Sequence, residues 1–373
     1  MVFGVVAGTL LRKAGGTLSV VAVDGGGMTL ATLQTLGRGR ELITPMLRQM
    51  VDRLDPSTRL VVSYHLGWSD QHGAPVSSSG GKAVRPGLAL LGAEASGADP
   101  RIGLPGAVAV ELVHNFSLVH DDLMDRDVKR RHRPTVWALW GDATAVLAGD
   151  AMLSLAHEVL ADCLSPHAHS PHAEAAATVI AIATRELIRG QAQDTAFEKR
   201  SDVTLDECLD MVQGKTGALM SASAVIGAVL AGAAAALTDA LAAYGAHLGL
   251  AFQLVDDLLG IWGQPEVTGK PVYSDLRSRK KTLPVTWTVE NGGAAGRQLA
   301  AWLADETRAA TATADELGGV ARLIERGGGR AWALEEARRC VVRAGGAVAH
   351  ACIAEGPASE LRALARYIVD REA

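Results

Sequence analysis

Three acidic residues stand close together in the stretch ELVHNFSLVHDDLMDRDVKRRHRPT, which covers residues 111–135. Asp121 and Asp125 are four residues apart, so on an α-helix they lie on one face, one turn apart, with Asp122 beside them. Neighbouring carboxylates repel one another, and this repulsion must be offset by a divalent cation or by basic side chains. The spacing therefore indicates either a metal site or a local salt-bridge network.

Basic residues that could serve the second role follow at once, at Lys129, Arg130 and Arg131. They can fold back onto the acids only if the helix ends near Val128. Taken alone, this motif is also compatible with an exposed helix end held by salt bridges.

A second pair of acids, Asp256 and Asp257, lies inside the apolar run AFQLVDDLLGIWG. Two unpaired carboxylates are not expected to be buried in such a run without a cation. Because both clusters offer oxygen ligands with no interleaved His or Cys, they favour a hard cation. Carboxylates that fill only part of an octahedron leave room for phosphate oxygens, so we predict Mg²⁺ together with a diphosphate.

Positive side chains that could receive a diphosphate are spread along the chain: Lys82, Arg85, Arg130, Arg131, Lys215, Lys270, Lys280 and Lys281. The GKT triplet at 214–216 is not a Walker A loop, since Leu209 stands where the motif needs glycine and no strand is predicted before it.

The elements that position these residues are predicted to be helices. The 373 residues are 48% hydrophobic and 21% charged, which describes a globular protein, and aromatic residues make up only 4%. Short alternating β-branched stretches are scarce, so we expect an all-α fold formed by one large helical domain. A net charge of -5 provides no basic field for nucleic acid.

Residues 1–38 are glycine-rich and are expected to form an atypical, loosely ordered extension, with one all-helical domain over residues 39–373. The uncharged stretch Ser221–Leu237 is built from Ala, Gly and Ser, which favours a tightly packed helix pair over a membrane span. The N-terminus has its basic residues after the apolar run, so no export signal is predicted. The four cysteines form no CxxC pair, and we expect a cytoplasmic protein without a transmembrane segment.

These residues carry a resemblance to the trans-isoprenyl diphosphate synthases of the polyprenyl synthetase family. The motifs occur in family order between about Arg40 and Leu283: GKxxRP, DDxxD within HDDLMD, RRxxPT, GQxxD, KT, FQxxDD and GKPxxSDLxxxKKT. The resemblance implies the isoprenoid synthase fold, which is a single large helical bundle with a central cavity. It also implies a homodimer and a Mg²⁺-dependent transferase that condenses isopentenyl diphosphate with an allylic diphosphate.

The resemblance also implies roles for individual residues. Metal binding falls to Asp121, Asp122, Asp125, Asp256 and Asp257. Positions at or near the allylic diphosphate are Arg130, Lys215, Thr216, Gln253, Lys270 and Lys280, and Gln191 and Asp194 line the allylic side. The isopentenyl diphosphate pocket is formed by Lys82, Arg85, His114 and Arg131. Of these, Asp121, Asp122, Asp125, Arg130, Lys215, Asp256 and Lys270 are expected to be catalytic.

Product length is expected to depend on Phe116 and Ser117, the fifth and fourth residues before Asp121. A bulky residue followed by a small one resembles geranylgeranyl diphosphate synthases, so geranylgeranyl diphosphate is the expected product. Helix geometry turns Phe116 about 140° from Asp121, and its ring could equally pack against a neighbouring helix.

Two positions depart from the family pattern. Gly260 replaces the third aspartate of the second motif, which predicts weaker outer coordination of the metal. Tyr273 replaces a glycine and is expected to place a ring near the diphosphate loop.

Two other functions share part of this pattern. A terpene cyclase would use the aspartates but has no need of Lys82, Arg85 and Arg131. A non-catalytic subunit of a heteromeric synthase would be expected to lack the first aspartate motif, which is present here.

Overall fold

The computed structural model describes residues 5–6, 9–14, 17–21, 30–76, 83–164, 171–265, 271–305 and 311–369, with side chains from Leu36 onward. The first helices are α1 (Leu30–Val51), α2 (Pro56–His65), α3 (Val84–Ala95), α4 (Leu104–Met124), α5 (Val136–Trp140), α6 (Asp142–Asp162) and α7 (Ala173–Phe197). They are followed by α8 (Leu205–Val212), a π-helical turn (Gln213–Gly217), α9 (Ala218–Leu230) and α10 (Ala235–Trp262). The last are α11 (Ser274–Arg277), α12 (Leu283–Asn291), α13 (Gly293–Ala304), α14 (Ala314–Arg326), α15 (Gly329–Ala349) and α16 (Glu355–Val369). The predicted all-helical class is confirmed.

Strands occur in two places within the described residues. Near the N-terminus, β1 (Val5–Val6), β2 (Thr9–Ala14) and β3 (Thr17–Val21) pair antiparallel in sequence order. A two-stranded hairpin, β4 (Lys129–Arg130) and β5 (Arg133–Pro134), follows α4. The predicted boundary at residue 38 falls inside α1, which begins at Leu30, so the helical region starts earlier than its sequence indicated.

The centre of the bundle depends on close approach between helices. A Cβ atom at Gly227 of α9 would lie 1.8 Å from the Ala89 carbonyl oxygen of α3, and one at Gly92 would lie 2.5 Å from the Ala224 carbonyl oxygen. No side chain fits at either position without moving a backbone. The small residues predicted to form a packed helix pair do so, with α9 buried along most of its length.

Two described helical segments, Pro100–Met124 and Asp142–Asp162, are long and apolar enough to cross a membrane by length and composition alone. Core helices of soluble proteins pass the same test. The first is mostly buried and forms the centre of a hydrophobic cluster that also includes α6. A second cluster joins α9, α10, α15 and α16, and a third lies between the end of α10 and helices α12 to α14.

Candidate active site

A cavity of about 480 Å³ opens between α3, α4, α7, the π-helical turn and α10. Its lining consists of Ala83, Val84, Arg85, Glu111, His114, Ser117, Leu118, Asp121, Arg130, Arg131, Leu187, Gln191, Lys215, Thr216, Leu219, Phe252, Gln253 and Asp256. The residues from α4 recur every three or four positions, so they form one stripe along a single helix face. Most of the residues singled out from the sequence meet here.

One end of the cavity, the carboxylate pocket, is formed where α4 ends. Helix α4 stops at Met124, with Asp125 as its C-terminal cap, and the hairpin β4–β5 then returns along it. In this hairpin, the Nε of Arg130 donates to both carboxylate oxygens of Asp122, at 2.8 and 2.9 Å. The basic residues therefore fold back onto the acids as predicted. The helix ends at Met124, four residues before the predicted end at Val128.

Lysines on two other elements complete the carboxylate pocket. Lys215 Nζ lies 2.6 Å from Asp194 Oδ2, and Lys280 Nζ lies 2.7 Å from Asp125 Oδ2. Burial lowers the pKa of Lys215, but the attraction of Asp121 and Asp194 outweighs it, so the pKa lies above its ordinary value and the lysine stays charged.

The π-helical turn brings Lys215 close to α7. A Cβ atom at Gly190 of α7 would lie 2.2 Å from the Lys215 backbone nitrogen, and one at Gly214 would lie 2.9 Å from the Glu186 carbonyl oxygen. The glycines of the GQxxD and GKT motifs thus allow the two backbones to touch. A local π-turn of this kind is common at functional sites.

A hydrogen-bonded chain runs from the cavity into the core behind the second aspartate motif. Thr216 Oγ1 donates to Gln253 Oε1 at 2.8 Å, and Gln253 Nε2 donates to Asp257 Oδ1 at 2.7 Å. The other oxygen of Asp257 accepts from the Leu283 backbone N–H at 2.8 Å. Asp257 is buried, and burial raises its pKa to about 8. This chain fixes the orientation of Gln253.

At the other end of the cavity, the arginine pocket contains Arg85, His114 and Arg131. Arg85 Nη1 lies 3.3 Å from His114 Nε2. Since a guanidinium only donates, Nε2 is the acceptor and the neutral ring carries its proton on Nδ1. Burial, and then the charges of Arg85 and Arg131, hold the pKa of His114 well below its ordinary value.

The hairpin turn places Arg131 in this pocket. Arg131 and His132 have φ angles of 50° and 63°, as expected for a two-residue turn in which both residues are left-handed. Asn and Gly normally occupy such turns, so these side chains carry a backbone strain that the fold must offset. Ala83, directly before α3 and Arg85, is also left-handed, with φ 53°.

Glu111 is a residue of this pocket that sequence reasoning missed. Burial raises the pKa of its carboxyl, and the charges of Arg85 and Arg131 oppose this rise. Asn115 Nδ2 donates to Glu111 Oε1 at 3.0 Å, which fixes the carboxyl in place. Its position three residues before His114 on the cavity face was the available signal.

The side chains present fit the two groups that the sequence predicts. Arg85 Nε is a buried donor without a partner among the described residues, as an anion site requires. Gln191 Oε1 is a buried acceptor that likewise has no described partner, and it suits a hydrated cation. Among the described residues no three acidic, His or Cys groups form a ready-made metal centre, so a cation here would share its ligands with the diphosphate.

Comparison with known proteins agrees with this geometry. Residues 68–317 match the Polyprenyl synthetase family. The chain belongs to this family. It is 69% identical over 350 residues to a (2E,6E)-farnesyl diphosphate synthase of Mycobacterium tuberculosis, covering 94% of this chain and 96% of that one. A geranylgeranyl diphosphate synthase of the same species is 40% identical over 270 residues, and the match covers 71% of this chain and 75% of that one.

Among solved structures, a polyprenyl synthetase from Streptomyces coelicolor A3(2) superposes with a TM-score of 0.84 at 49% identity, covering 90% of this chain and 99% of that one. The predicted isoprenoid synthase fold is therefore confirmed. As a polyprenyl synthetase, the chain is a prenyltransferase that condenses isopentenyl diphosphate with an allylic diphosphate. The cyclase and the non-catalytic subunit gain no support from these relatives.

The structure separates the predicted metal ligands of this synthase into two groups. Asp121 and Asp256 line the cavity, and Asp125, outside the lining, is paired with Lys280. Asp122 is only 2% exposed and is bound by Arg130, whereas Asp257 is held by Gln253 and Leu283. The predicted metal roles of Asp122 and Asp257 stay predictions; in this structure their carboxyl groups accept hydrogen bonds from Arg130 and from Gln253 and the Leu283 N–H.

The remaining predicted site residues differ in where they lie. Ser117 lines the cavity, but Phe116 is buried outside the lining, with its ring edge-on to His120 at 5.2 Å. Lys82 and Lys270 lie outside the described residues.

The backbone conformation of Tyr273 explains why the family usually has glycine at this position. Its φ is 65°, the left-handed region that glycine adopts without strain. The ring packs against the hydrophobic cluster of α12 to α14, and a Cβ at Gly318 would lie 3.4 Å from its hydroxyl. The expectation that the ring lies near the diphosphate loop stays a prediction, because Gly269 and Lys270 of that loop lie outside the described residues.

Proposed function

We propose that this synthase makes farnesyl diphosphate by a Mg²⁺-dependent condensation of isopentenyl diphosphate with dimethylallyl and then geranyl diphosphate. The observation that supports it best is one cavity lined both by aspartates with basic side chains and by the arginines Arg85 and Arg131. The carboxylate pocket suits an allylic diphosphate bound with metal ions, and the arginine pocket suits the second diphosphate directly.

An apolar chamber for the prenyl chain lies one helical turn from the carboxylate pocket. Leu118 is three residues before Asp121 on α4. The other apolar lining residues are each four positions from a polar one: Leu187 from Gln191, Leu219 from Lys215 and Phe252 from Asp256. Four residues of helix cover about 6 Å, so these side chains form a layer beside the charged one. Such a layer would keep water from an allylic cation that would otherwise be quenched to an alcohol.

The reaction begins when the bond between the allylic carbon and the diphosphate oxygen breaks. When bound by Asp121, Asp125 and Asp256, Mg²⁺ would stabilise the negative charge that accumulates on the departing diphosphate. Lys215 and Arg130 add positive charge on the same side. Arg85, Arg131 and His114 would hold isopentenyl diphosphate so that its double bond attacks the allylic cation, and the released diphosphate is placed to take the proton that is lost.

Farnesyl diphosphate is proposed over the geranylgeranyl diphosphate expected from the sequence. The relative at 69% identity is named for the farnesyl product, whereas the geranylgeranyl synthase of the same species is 40% identical. Phe116, on which the longer product was argued, is not part of the described lining. The geranylgeranyl expectation is thus not confirmed.

Incubation with labelled isopentenyl diphosphate, each allylic primer and Mg²⁺, followed by chromatography of the dephosphorylated products, tests the proposal. Farnesol should dominate with dimethylallyl and geranyl primers, and EDTA should abolish product formation. Ser117→Phe should shorten the products, and Phe116→Ala should leave their length unchanged. A main product of geranylgeraniol, or longer products from Phe116→Ala, would contradict the assignment.

A homodimer is also proposed, supported by exposed apolar side chains on two neighbouring helices. On α6, Val146 and Leu147 are 41% and 64% exposed, and on α7, Ile182 and Ile188 are 48% and 50% exposed. Light scattering should give twice the monomer mass, and Leu147→Glu should reduce it. A cytoplasmic location remains a proposal that cell fractionation can test.

A further inference from the structure

The missing third aspartate of the second motif leaves a space that another residue occupies. Gly260 lies four residues after Asp256 on α10, so both positions share the face towards the carboxylate pocket. A Cβ atom built on Gly260 would lie 2.0 Å from Asp275 Oδ2 and 2.4 Å from Asp275 Cγ. The carboxyl group of Asp275 thus stands where a side chain at residue 260 would be.

Asp275 is fixed in this position by its neighbours. Ser274 Oγ lies 3.2 Å from both the Gly260 carbonyl oxygen and Asp275 Oδ1, which ties the start of α11 to α10. The Lys280 backbone N–H donates to the Asp275 carbonyl oxygen at 2.9 Å. The left-handed backbone of Tyr273 directs the chain into this contact.

The charges around Asp275 are those of the carboxylate pocket. Asp275 interacts electrostatically with Lys280 and with Asp257 of the second aspartate motif. The same lysine contacts Asp125 of α4. Asp275 therefore faces the space between α4 and α10 in which the metal is proposed to bind.

We propose that Asp275 supplies the third carboxylate of the second aspartate cluster, reaching it from the segment after α10, and that Gly260 provides the space for it. The residue would bind the metal or its water ligands, so the expectation that this outer coordination is weakened is replaced by one of relocated coordination. The inference rests on the Mg²⁺ role proposed above.

The competing account is that Asp275 only orders the loop between α10 and α12. Isothermal titration of a non-hydrolysable allylic thiodiphosphate over a series of Mg²⁺ concentrations distinguishes the two. The variants are Asp275→Asn, which keeps the shape, Gly260→Ala, which adds a Cβ without a charge, and the swap of Gly260→Asp with Asp275→Gly. Asp239→Asn, at an exposed position of α10, the helix that carries Gly260, is the matched control.

Asp275→Asn and Gly260→Ala should each raise the Mg²⁺ concentration for half-maximal binding by about tenfold or more, as loss of a metal-supporting carboxylate does. The swap should recover most of this loss, and Asp239→Asn should match the wild type. Melting without Mg²⁺ reports folding separately. A folded Asp275→Asn variant with the wild-type Mg²⁺ requirement, or a swap no better than Gly260→Ala, would overturn the inference. If the wild type binds the thiodiphosphate equally well at every Mg²⁺ concentration, the proposed metal role itself is refuted, independently of the variants.

Discussion

In the carboxylate pocket each cation is hydrogen-bonded to an aspartate, whereas in the arginine pocket two guanidiniums stand beside a neutral histidine and one buried glutamate, Glu111. Arg130, Lys215 and Lys280 lie 2.6 to 2.8 Å from aspartate oxygens. Arg85 makes a 3.3 Å contact with His114, has a buried Nε without a described partner, and interacts with Glu111 and Asp256 at longer range. The two pockets thus differ in how much positive charge they can offer to an anion.

This difference has a chemical consequence. A diphosphate entering the carboxylate pocket meets several aspartates and needs additional cations, while one entering the arginine pocket meets two guanidiniums, whose donors include the Arg85 Nε without a described partner, and the single carboxyl of Glu111. In the proposed mechanism the pocket that would bind the metal is also the one in which the leaving group is stabilised, so metal binding and bond cleavage would be coupled there.

The largest expected effect comes from removing a carboxylate on the metal-dependent side. Asp121→Ala and Asp256→Ala should each lower kcat by at least about 10²-fold, as loss of a main electrostatic contributor does. Steady-state kinetics at saturating substrates measures this, with Asp150→Ala on the exposed face of α6 as the control. Near-normal turnover in either variant would remove the basis for the comparison.

Arg85→Ala tests the other pocket. Loss of this charged hydrogen bond should weaken the binding of isopentenyl diphosphate by about 1.5 to 3 kcal/mol, which corresponds to roughly a 10- to 10²-fold rise in its KM. The KM of the allylic substrate should change much less. Equal increases for both substrates would show that the pockets are not separate.

Glu111→Gln sharpens the same point with a smaller change. The variant keeps the shape and the Asn115 contact but removes the negative charge near Arg85 and Arg131. We expect a several-fold change in KM for isopentenyl diphosphate, with kcat little altered, because the residue positions the arginines. Glu325→Gln, an exposed residue of α14, serves as control; an effect on kcat alone would assign Glu111 a different role.

The smallest effect concerns backbone strain beside the carboxylate pocket. Tyr273→Gly and Tyr273→Ala both lose the packing of the ring, but only glycine relaxes the left-handed backbone. The glycine variant should therefore be more stable than the alanine variant by about 1 kcal/mol in chemical denaturation. Equal stabilities would mean that the strain is negligible.

Much of the site followed from the sequence because its residues come in periodic or clustered patterns. The spacing of Asp121 and Asp125 and the apolar surroundings of Asp256 located the carboxylate pocket. What the sequence could not show is which acid faces inward. Asp122 and Asp257 have the right type and neighbours, but their partners, Arg130 and the Leu283 N–H, come from elements whose placement depends on tertiary packing.

The relation between Gly260 and Asp275 could not be predicted for the same reason. Fifteen positions separate them, and only the path of the chain after α10 brings the carboxyl group against the glycine. Residue 260 alone indicates weakened outer coordination of the metal, whereas the structure shows another carboxyl group in that space.

The most direct test of the two-pocket account is calorimetric binding of each diphosphate with Mg²⁺ and with EDTA. A non-hydrolysable allylic thiodiphosphate should lose at least about 10²-fold in affinity in EDTA, and isopentenyl diphosphate should retain its affinity within a few-fold. Equal dependence of both ligands on Mg²⁺ would contradict the account.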